Sequence, residues 1–207
     1  MKKILLTLIL IILTTSITYL LKPEPYKVHH HANMLVMIDG KEWDFSKDIY
    51  MEEVSRCNVT VGVLPEDRIH LHENMGDLIH VHMAASTWGD IFSNLMWNFG
   101  SGYLVDDYGQ MYLANDEKKV YFILNGEEVT NPHNTPVNSE DKLLVWYGSG
   151  TTEDIITRYY PLVSGSAKEY NNKEDPASCS ANEKSEFLAP IAHLWDTIRE
   201  YFPHSHE

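Results

Sequence analysis

The stretch "RIHLHENMGDLIHVHM", residues 68–83, holds two His-X-His triplets separated by a short polar segment. The histidines alternate with four aliphatic residues, Ile69, Leu71, Ile79 and Val81. Successive side chains of a β-strand point to opposite faces, so histidines and aliphatic residues occupy different faces. Asn74, Gly76 and Asp77, between the triplets, are turn formers. The stretch therefore predicts a hairpin with one histidine face and one apolar face.

The apolar pattern also restricts the register of this hairpin. If paired residue numbers add up to an even number, the four histidines, His70, His72, His80 and His82, share one face of the sheet. An odd register would bury one histidine pair in the core and expose its aliphatic neighbours, so the even register is favoured. A sum of 152 would place His72 opposite His80 and His70 opposite His82, with Cβ atoms about 5 Å apart.

Four imidazoles on one face favour a transition-metal site. Each has an ordinary pKa of about 6.5, and a cation that keeps the rings neutral removes their mutual repulsion when protonated. Imidazole suits zinc, copper, nickel and iron, and we expect zinc or copper here. Three histidines on zinc leave a position for water, whereas four give a closed or copper-like site. A polar sheet surface without metal is the alternative interpretation.

A second histidine group, His29, His30 and His31, precedes the first predicted strand of the domain. In that strand His29 and His31 share a face, so either could complete the metal site. An exposed linker is the alternative. Glu73 and Asp77, in the turn of the hairpin, are candidates for a ligand, for orienting a ligand or for a general base. The plainer interpretation is that Asp77 only stabilises the turn.

The N-terminal segment, 1–25, is expected to be a membrane anchor or a signal. Lys2 and Lys3 precede an uncharged, mostly apolar run from Ile4 to Leu21, which is just long enough to span a bilayer as a helix. The positive charges favour an inside N-terminus. A cleaved signal peptide is the competing interpretation, although no small-X-small site follows. Both place the remaining chain outside the cytoplasm, in the first case as a single-pass membrane protein.

Charge and cysteine content limit the possible functions further. The 30 acidic residues outnumber the 16 basic ones, giving a net charge of −14. Most of the surface would repel a phosphate backbone, so nucleic-acid binding is not expected. The two cysteines, Cys57 and Cys179, would form either one disulfide or two unpaired thiols.

Composition divides the rest of the chain into three parts. Residues 26–150 alternate apolar and turn residues over a length sufficient for one domain. Residues 151–185 are expected to form a linker, because large aliphatic residues become rare from Ser164 onward. Residues 186–203 carry apolar side chains at helical spacing and predict an amphipathic helix. This helix would dock on its own domain, on a protein partner or on the membrane.

The turn and helix-capping residues within 26–150 predict the fold class. Asp39-Gly40 between two apolar runs predicts a tight hairpin, and Ser46 is a candidate N-cap for a short helix over 46–57. Thr87 and Asp90 resemble a capping box, opening a helix whose apolar stripe runs to Gly100. Strands are predicted within 101–114, 119–129 and 141–148. An α+β domain with a mostly antiparallel or mixed sheet, β-grasp-like in arrangement, is expected.

Four segments of the chain also resemble a known family. They are "HHHANMLVMIDGKEWDFS" (29–46), "HLHENMGDLIHVHMAASTWGDIF" (70–92), "VYFILNGEEV" (120–129) and "DKLLVWYG" (141–148). Together they look like an uncharacterised prokaryotic family with an N-terminal anchor and a histidine-rich outer domain, often labelled protein-disulfide isomerase. The resemblance covers about 29–148 and implies extracytoplasmic placement. Its most specific part is the paired His-X-His with the following Thr-Trp-Gly-Asp.

The expected function is transition-metal binding by a membrane-anchored, extracytoplasmic protein. A zinc-dependent hydrolase or lyase with a metal-bound water is the second interpretation, so catalysis stays open. A thiol oxidoreductase is the third. Disulfide exchange uses a low-pKa thiolate and usually a resolving cysteine close by, and Cys57 has no cysteine neighbour.

Overall fold

A continuous apolar run, Met34 to Ile38, forms the second part of the longest strand of the fold, residues 27–38. A computed structural model of the chain describes residues 27–52 and 64–173, together with the isolated positions 7, 12 and 14. Its strands are β1 (Lys27–Ile38), β2 (Lys41–Glu42), β3 (Ile69–His70), β4 (Leu78–Met83), β5 (Asn98–Gly100), β6 (Tyr103–Val105), β7 (Met111–Leu113), β8 (Lys119–Leu124), β9 (Glu127–Val129) and β10 (Lys142–Gly148). Its helices are α1 (Trp88–Asn94), α2 (Thr152–Arg158) and α3 (Ala167–Tyr170), with 3-10 turns at Asp48–Tyr50, Pro65–Asp67 and Tyr160–Leu162.

The strands form two sheets. The larger has the order β3-β4-β1-β10-β8-β9, and β2 pairs with the end of β1. β1 and β10 are parallel, whereas the other neighbours in this sheet are antiparallel. β5, β6 and β7 form a separate antiparallel sheet. The predicted α+β class with a mixed sheet is thus confirmed; the described residues form no closed barrel.

The central strand β1 is buried on both faces, because its successive side chains enter two different cores. Met34 and Val36 pack in the larger core with the aliphatic face of the histidine hairpin and with α1. Leu35 and Met37 pack on the opposite face with Trp146 and with residues that follow β10. The hairpin's histidines lie on this second face, beside a core rather than in solvent.

Two local predictions are confirmed. Asp39 and Gly40 adopt positive φ of 49° and 76°, and Ile38 pairs with Lys41 across them, as a tight hairpin turn requires. At α1, the Thr87 side chain accepts from the Asp90 N–H at 3.1 Å, and the Asp90 carboxylate accepts from the Thr87 N–H at 2.8 Å. This reciprocal pair is a capping box.

Two predicted helices are shorter in the structure. α1 ends at Asn94 instead of continuing to Gly100, because Met96 has φ of 62° and residues 98–100 pair with β6. Within 46–57, the described part forms one 3-10 turn, Asp48–Tyr50, and then Met51 bridges to Leu71. Ser46 caps no helix; its N–H and hydroxyl donate to the Asp44 carboxylate.

Residues 151–173 fold against the sheet where composition predicts a linker. α2 is capped by the Thr151 hydroxyl, which accepts from the Asp154 N–H at 3.2 Å. Ile155, Val163 and Ala167 are buried, the first two in the second core. The few aliphatic residues of this segment thus occupy packed positions, which its average composition conceals.

Several predictions lie outside the described residues. They are the anchor within 1–25, both cysteines, the remainder of the linker and the helix over 186–203. Across residues 27–52 and 64–173, no helix combines the length and the apolar character that crossing a bilayer requires.

Candidate metal centre

The hairpin of β3 and β4 brings its histidines to one face, with a register that differs from the predicted sum. His70 pairs with His80 and Ile69 with Val81, so paired numbers add up to 150. The even register is as predicted, but His70, not His72, lies opposite His80. The turn explains the shift: Glu73 and Asn74 have positive φ of 59° and 56°, and the ladder of β3 ends at His70.

β1 adds two histidines to the same face. His31 pairs with His80 from the other side of β4, and an irregularity in the ladder separates the pairs at Lys27 and His30. His29 and His31 point to the histidine face, where their rings lie 4.9 Å apart. His30 faces the opposite way, and its Nε2–H donates to the Val137 carbonyl at 3.0 Å. We call the six converging side chains the histidine cluster: His29, His31, His70, His72, His80 and His82.

His80 is the centre of the histidine cluster. Its ring centroid lies 3.6 Å from that of His72 and 4.4 Å from that of His31. The other three centroids, those of His29, His70 and His82, lie at 6.2, 6.0 and 6.4 Å from it. Five of the six side chains are buried, His29 being half-buried. The histidine face is therefore an enclosed polar layer and not a surface patch.

Three members meet the geometric requirement for holding one ion. Ligand nitrogens of His29, His31 and His80 all lie within 4.8 Å of one another. His31 Nδ1–H donates to Asn171 Oδ1 at 2.8 Å, which leaves the lone pair on Nε2. That Nε2 lies 3.0 Å from His80 Nδ1. Two imidazole nitrogens on a tetrahedral ion are about 3.3 Å apart, given metal–nitrogen bonds of 2.0–2.1 Å. Small ring movements would therefore admit an ion.

A backbone carbonyl fixes His70 in the same tautomer. Its Nδ1–H donates to the Glu66 carbonyl at 2.6 Å, so that Nε2 carries the lone pair. Metal-bound histidines commonly donate their second ring N–H to a carbonyl in this way. Elsewhere in the histidine cluster, four buried nitrogens have no hydrogen-bond partner among the described residues: both of His72, Nε2 of His80 and Nε2 of His82.

Burial keeps these imidazoles neutral. Desolvation lowers the pKa of His72 to about 4 and that of His82 to about 2, and the neighbouring histidines contribute to both shifts. The pKa values of His80 and His70 are also lowered, mainly by burial. For His70, the hydrogen bond to Glu66 and the charge of Asp67 oppose this shift. Neutral imidazole is the form that binds a metal, so none of these rings has to lose the second proton of an imidazolium first.

The side chains predicted to orient the ligands do not do so among the described residues. Glu73 is exposed, and Asp77 contributes its backbone carbonyl to Asn33 and Met34. Asn171 and the Glu66 carbonyl take that role instead. Sequence reasoning missed Asn171 because it lies 140 positions from His31, in the segment predicted to be a linker. A lone asparagine there carries no signal of its own.

The described cavities lie away from the histidine cluster. One of about 510 Å³ is lined partly by Trp43, Phe45 and Met75, and one of about 190 Å³ lies beside Asn33 and Lys168. No histidine lines either. Comparison of the chain with protein-family models, with curated proteins and with solved structures finds no match.

Proposed function

We propose that this protein binds a transition-metal ion in the histidine cluster, with His29, His31 and His80 as ligands. The observation that carries the proposal is the convergence of their ligand nitrogens within 4.8 Å in a largely buried site. His70, His72 and His82 surround this group and complete the all-imidazole environment.

The donor set favours zinc or copper. Calcium and magnesium prefer oxygen ligands, whereas imidazole suits zinc, copper, nickel and iron. His31 supports the proposal because Asn171 fixes its tautomer, and a ligand held in its binding form loses little freedom on metal binding.

We consider metal binding better supported than metal-dependent catalysis. Three histidine ligands would leave one position for a water on zinc, as a hydrolase or lyase requires. A substrate would also need access to that position, and His31 and His80 are buried. A thiol oxidoreductase would depend on Cys57 or Cys179, which lie outside the described residues.

The test is metal analysis of the untagged full-length chain, purified in detergent without chelator, by inductively coupled plasma mass spectrometry. The His31→Ala/His80→Ala variant removes two proposed ligands, and His30→Ala is the matched control. His30 adjoins His31 but faces away and bonds to Val137. We expect stoichiometric zinc or copper in the unmodified protein and in the control, and loss in the double variant.

Two results would contradict the proposal. One is equal metal content in the double variant and the unmodified chain. The other is an absence of tight binding in every sample after reconstitution with zinc or copper.

The placement of the protein and the finer fold type belong to the same proposal. Lys2, Lys3 and the apolar run after them support a single-pass anchor with the domain outside the cytoplasm. The helix over 186–203 would then engage the membrane or a protein partner. The parallel pairing of β1 and β10 in the middle of the sheet supports a β-grasp-like arrangement. Protease digestion of intact cells, which should degrade only an outside domain, tests the placement.

A further inference from the structure

Three imidazoles of the histidine cluster are left over once His29, His31 and His80 hold an ion. The exposed fractions of His70, His72 and His82 are only 4, 3 and 6%. A tetrahedral zinc or copper ion takes four ligands, so one ion does not satisfy six rings. Ring nitrogens of His72 and His82 have no hydrogen-bond partner among the described residues, and a buried polar atom in that condition is costly.

Ring spacing groups the remaining histidines around His70. Two imidazoles on one tetrahedral ion place their ring centroids about 5 Å apart, from the bond length and the size of the ring. The His70 centroid lies 5.0 Å from that of His82 and 5.7 Å from that of His72. It lies 6.0 Å from that of His80. These three neighbours carry the four buried nitrogens that have no hydrogen-bond partner among the described residues.

His70 and His31 are oriented by the same kind of hydrogen bond. Each donates its Nδ1–H to a carbonyl oxygen, of Glu66 for His70 and of Asn171 for His31, and each keeps its lone pair on Nε2. His80 lies between the two, with Nδ1 toward His31 and Nε2 on the other side of its ring. The histidine cluster thus contains two oriented ligands, His31 and His70, with His80 between them, while the His82 ring also stacks on that of His29 at a centroid distance of 4.7 Å.

We propose a second transition-metal position, held by His70, His72 and His82. This inference rests on the proposed function, which it extends from one ion to a pair. Rotation of the His72 and His82 rings toward His70 would complete the site, since the His70 ring already neighbours both.

Native mass spectrometry of the full-length chain, released from detergent after zinc titration and removal of excess metal, tests the inference. We expect two zinc ions in the unmodified protein. The His70→Gln/His82→Gln variant should keep one ion, and so should His29→Gln/His31→Gln, since each removes one group. Glutamine preserves much of the polar volume, and near-ultraviolet circular dichroism checks that each variant is folded.

The number of ions in the unmodified chain separates the two proposals. Two ions that fall to one in each double variant support the second position. One ion that survives His70→Gln/His82→Gln overturns the second position and leaves the first. No ion overturns both. Replacing His193, His204 and His206 by alanine is the control for binding by the C-terminal histidines, and a fall from two ions to one in that variant also overturns the inference.

Discussion

His31 Nε2 lies 3.0 Å from His80 Nδ1, although 49 positions separate the two residues along the chain. Because Asn171 Oδ1 accepts from the His31 Nδ1–H, His31 Nε2 carries the lone pair, and the metal-free contact requires His80 to donate from Nδ1. His80 Nε2 is then an unprotonated nitrogen, buried and without a hydrogen-bond partner in the described part of the chain. The contact therefore transmits the orientation set by Asn171 across two rings.

Replacing Asn171 by alanine tests whether Asn171 orients the His31 ring and, through it, the His80 ring. Asn171 Oδ1 accepts from the His31 backbone N–H at 2.7 Å and from its ring at 2.8 Å. Leaving those donors without a partner should cost about 1–3 kcal/mol in the free energy of unfolding of the metal-free protein. Metal affinity should fall about 10–100-fold. Urea denaturation and zinc competition titration measure the two effects.

Asn172→Ala is the matched control for this experiment. The exposed Asn172 side chain donates to the Lys168 carbonyl at 2.7 Å and has no hydrogen bond with the histidine cluster in the described part of the chain. We expect its unfolding free energy to stay within about 0.5 kcal/mol of the unmodified value. Equal stability of the Asn171 and Asn172 variants would show that the His31 contact does not orient the ring.

Acid should unfold the metal-free protein at an unusually mild pH. Buried His72, with a pKa of about 4, stays neutral while its unfolded counterpart binds a proton near pH 6.5. The unfolded state thus binds more protons between these values, so stability falls as the pH decreases from 6.5 to 4. His82 extends the same trend toward pH 2. Melting temperatures between pH 7.5 and 4 measure it.

The variant His72→Gln separates this effect from general acid sensitivity. It removes one titrating ring, so the loss of stability per pH unit should be smaller below pH 6.5. Identical slopes for the variant and the unmodified protein would mean that His72 protonates equally in both states.

Gly76→Ala should destabilise the turn that joins the two histidine strands. A Cβ on Gly76 would lie 2.6 Å from both the Phe45 carbonyl carbon and the Ser46 nitrogen, which are backbone atoms with little room to move. Overpacking of this kind costs about 1–3 kcal/mol. In Gly102→Ala the nearest contact is at 4.0 Å, from Ala114, so chemical denaturation should show almost no change for that control.

Thr87→Ala should remove the capping box of α1. The hydroxyl accepts from the Asp90 N–H and donates to its carboxylate, and losing such a cap costs about 0.5–2 kcal/mol. Thr87→Ser keeps the hydroxyl and should retain most of the stability. If both variants were equally destabilised, methyl packing and not the cap would be responsible.

Local patterns predicted much of the histidine-bearing sheet. The alternation around His70 and His80 indicated the shared face, and Asp39-Gly40 indicated the first hairpin, because both depend on neighbouring residues only. The exact pairing in the hairpin was missed by two residues, since Glu73 adopts a left-handed conformation next to that of Asn74, and glutamate, unlike asparagine, rarely does so. Residue spacing alone carries no information about which distant strands pair. The proximity of β1 to the hairpin was suggested only by the shared chemistry of their histidines.

Long-range packing explains what could not be predicted. Asn171 reaches His31 only because the segment after β10 folds back over β1, and its polar composition resembles that of a linker. The end of α1 was likewise decided by the pairing of Phe99 with Leu104, a tertiary contact that overrides the apolar stripe.

The parallel pairing of β1 with β10 governs when this site can form. All six histidines of the cluster have left the ribosome long before Lys142, the first partner of β1 in β10, has been made. Closing so large a loop is slow because its entropy is lost before any contact compensates for it. The contact that orients His31 forms only after Asn171 has been synthesised, because Asn171 supplies its hydrogen-bond acceptor. An ion bound as proposed would therefore reach its ordered site only after Asn171 has been synthesised.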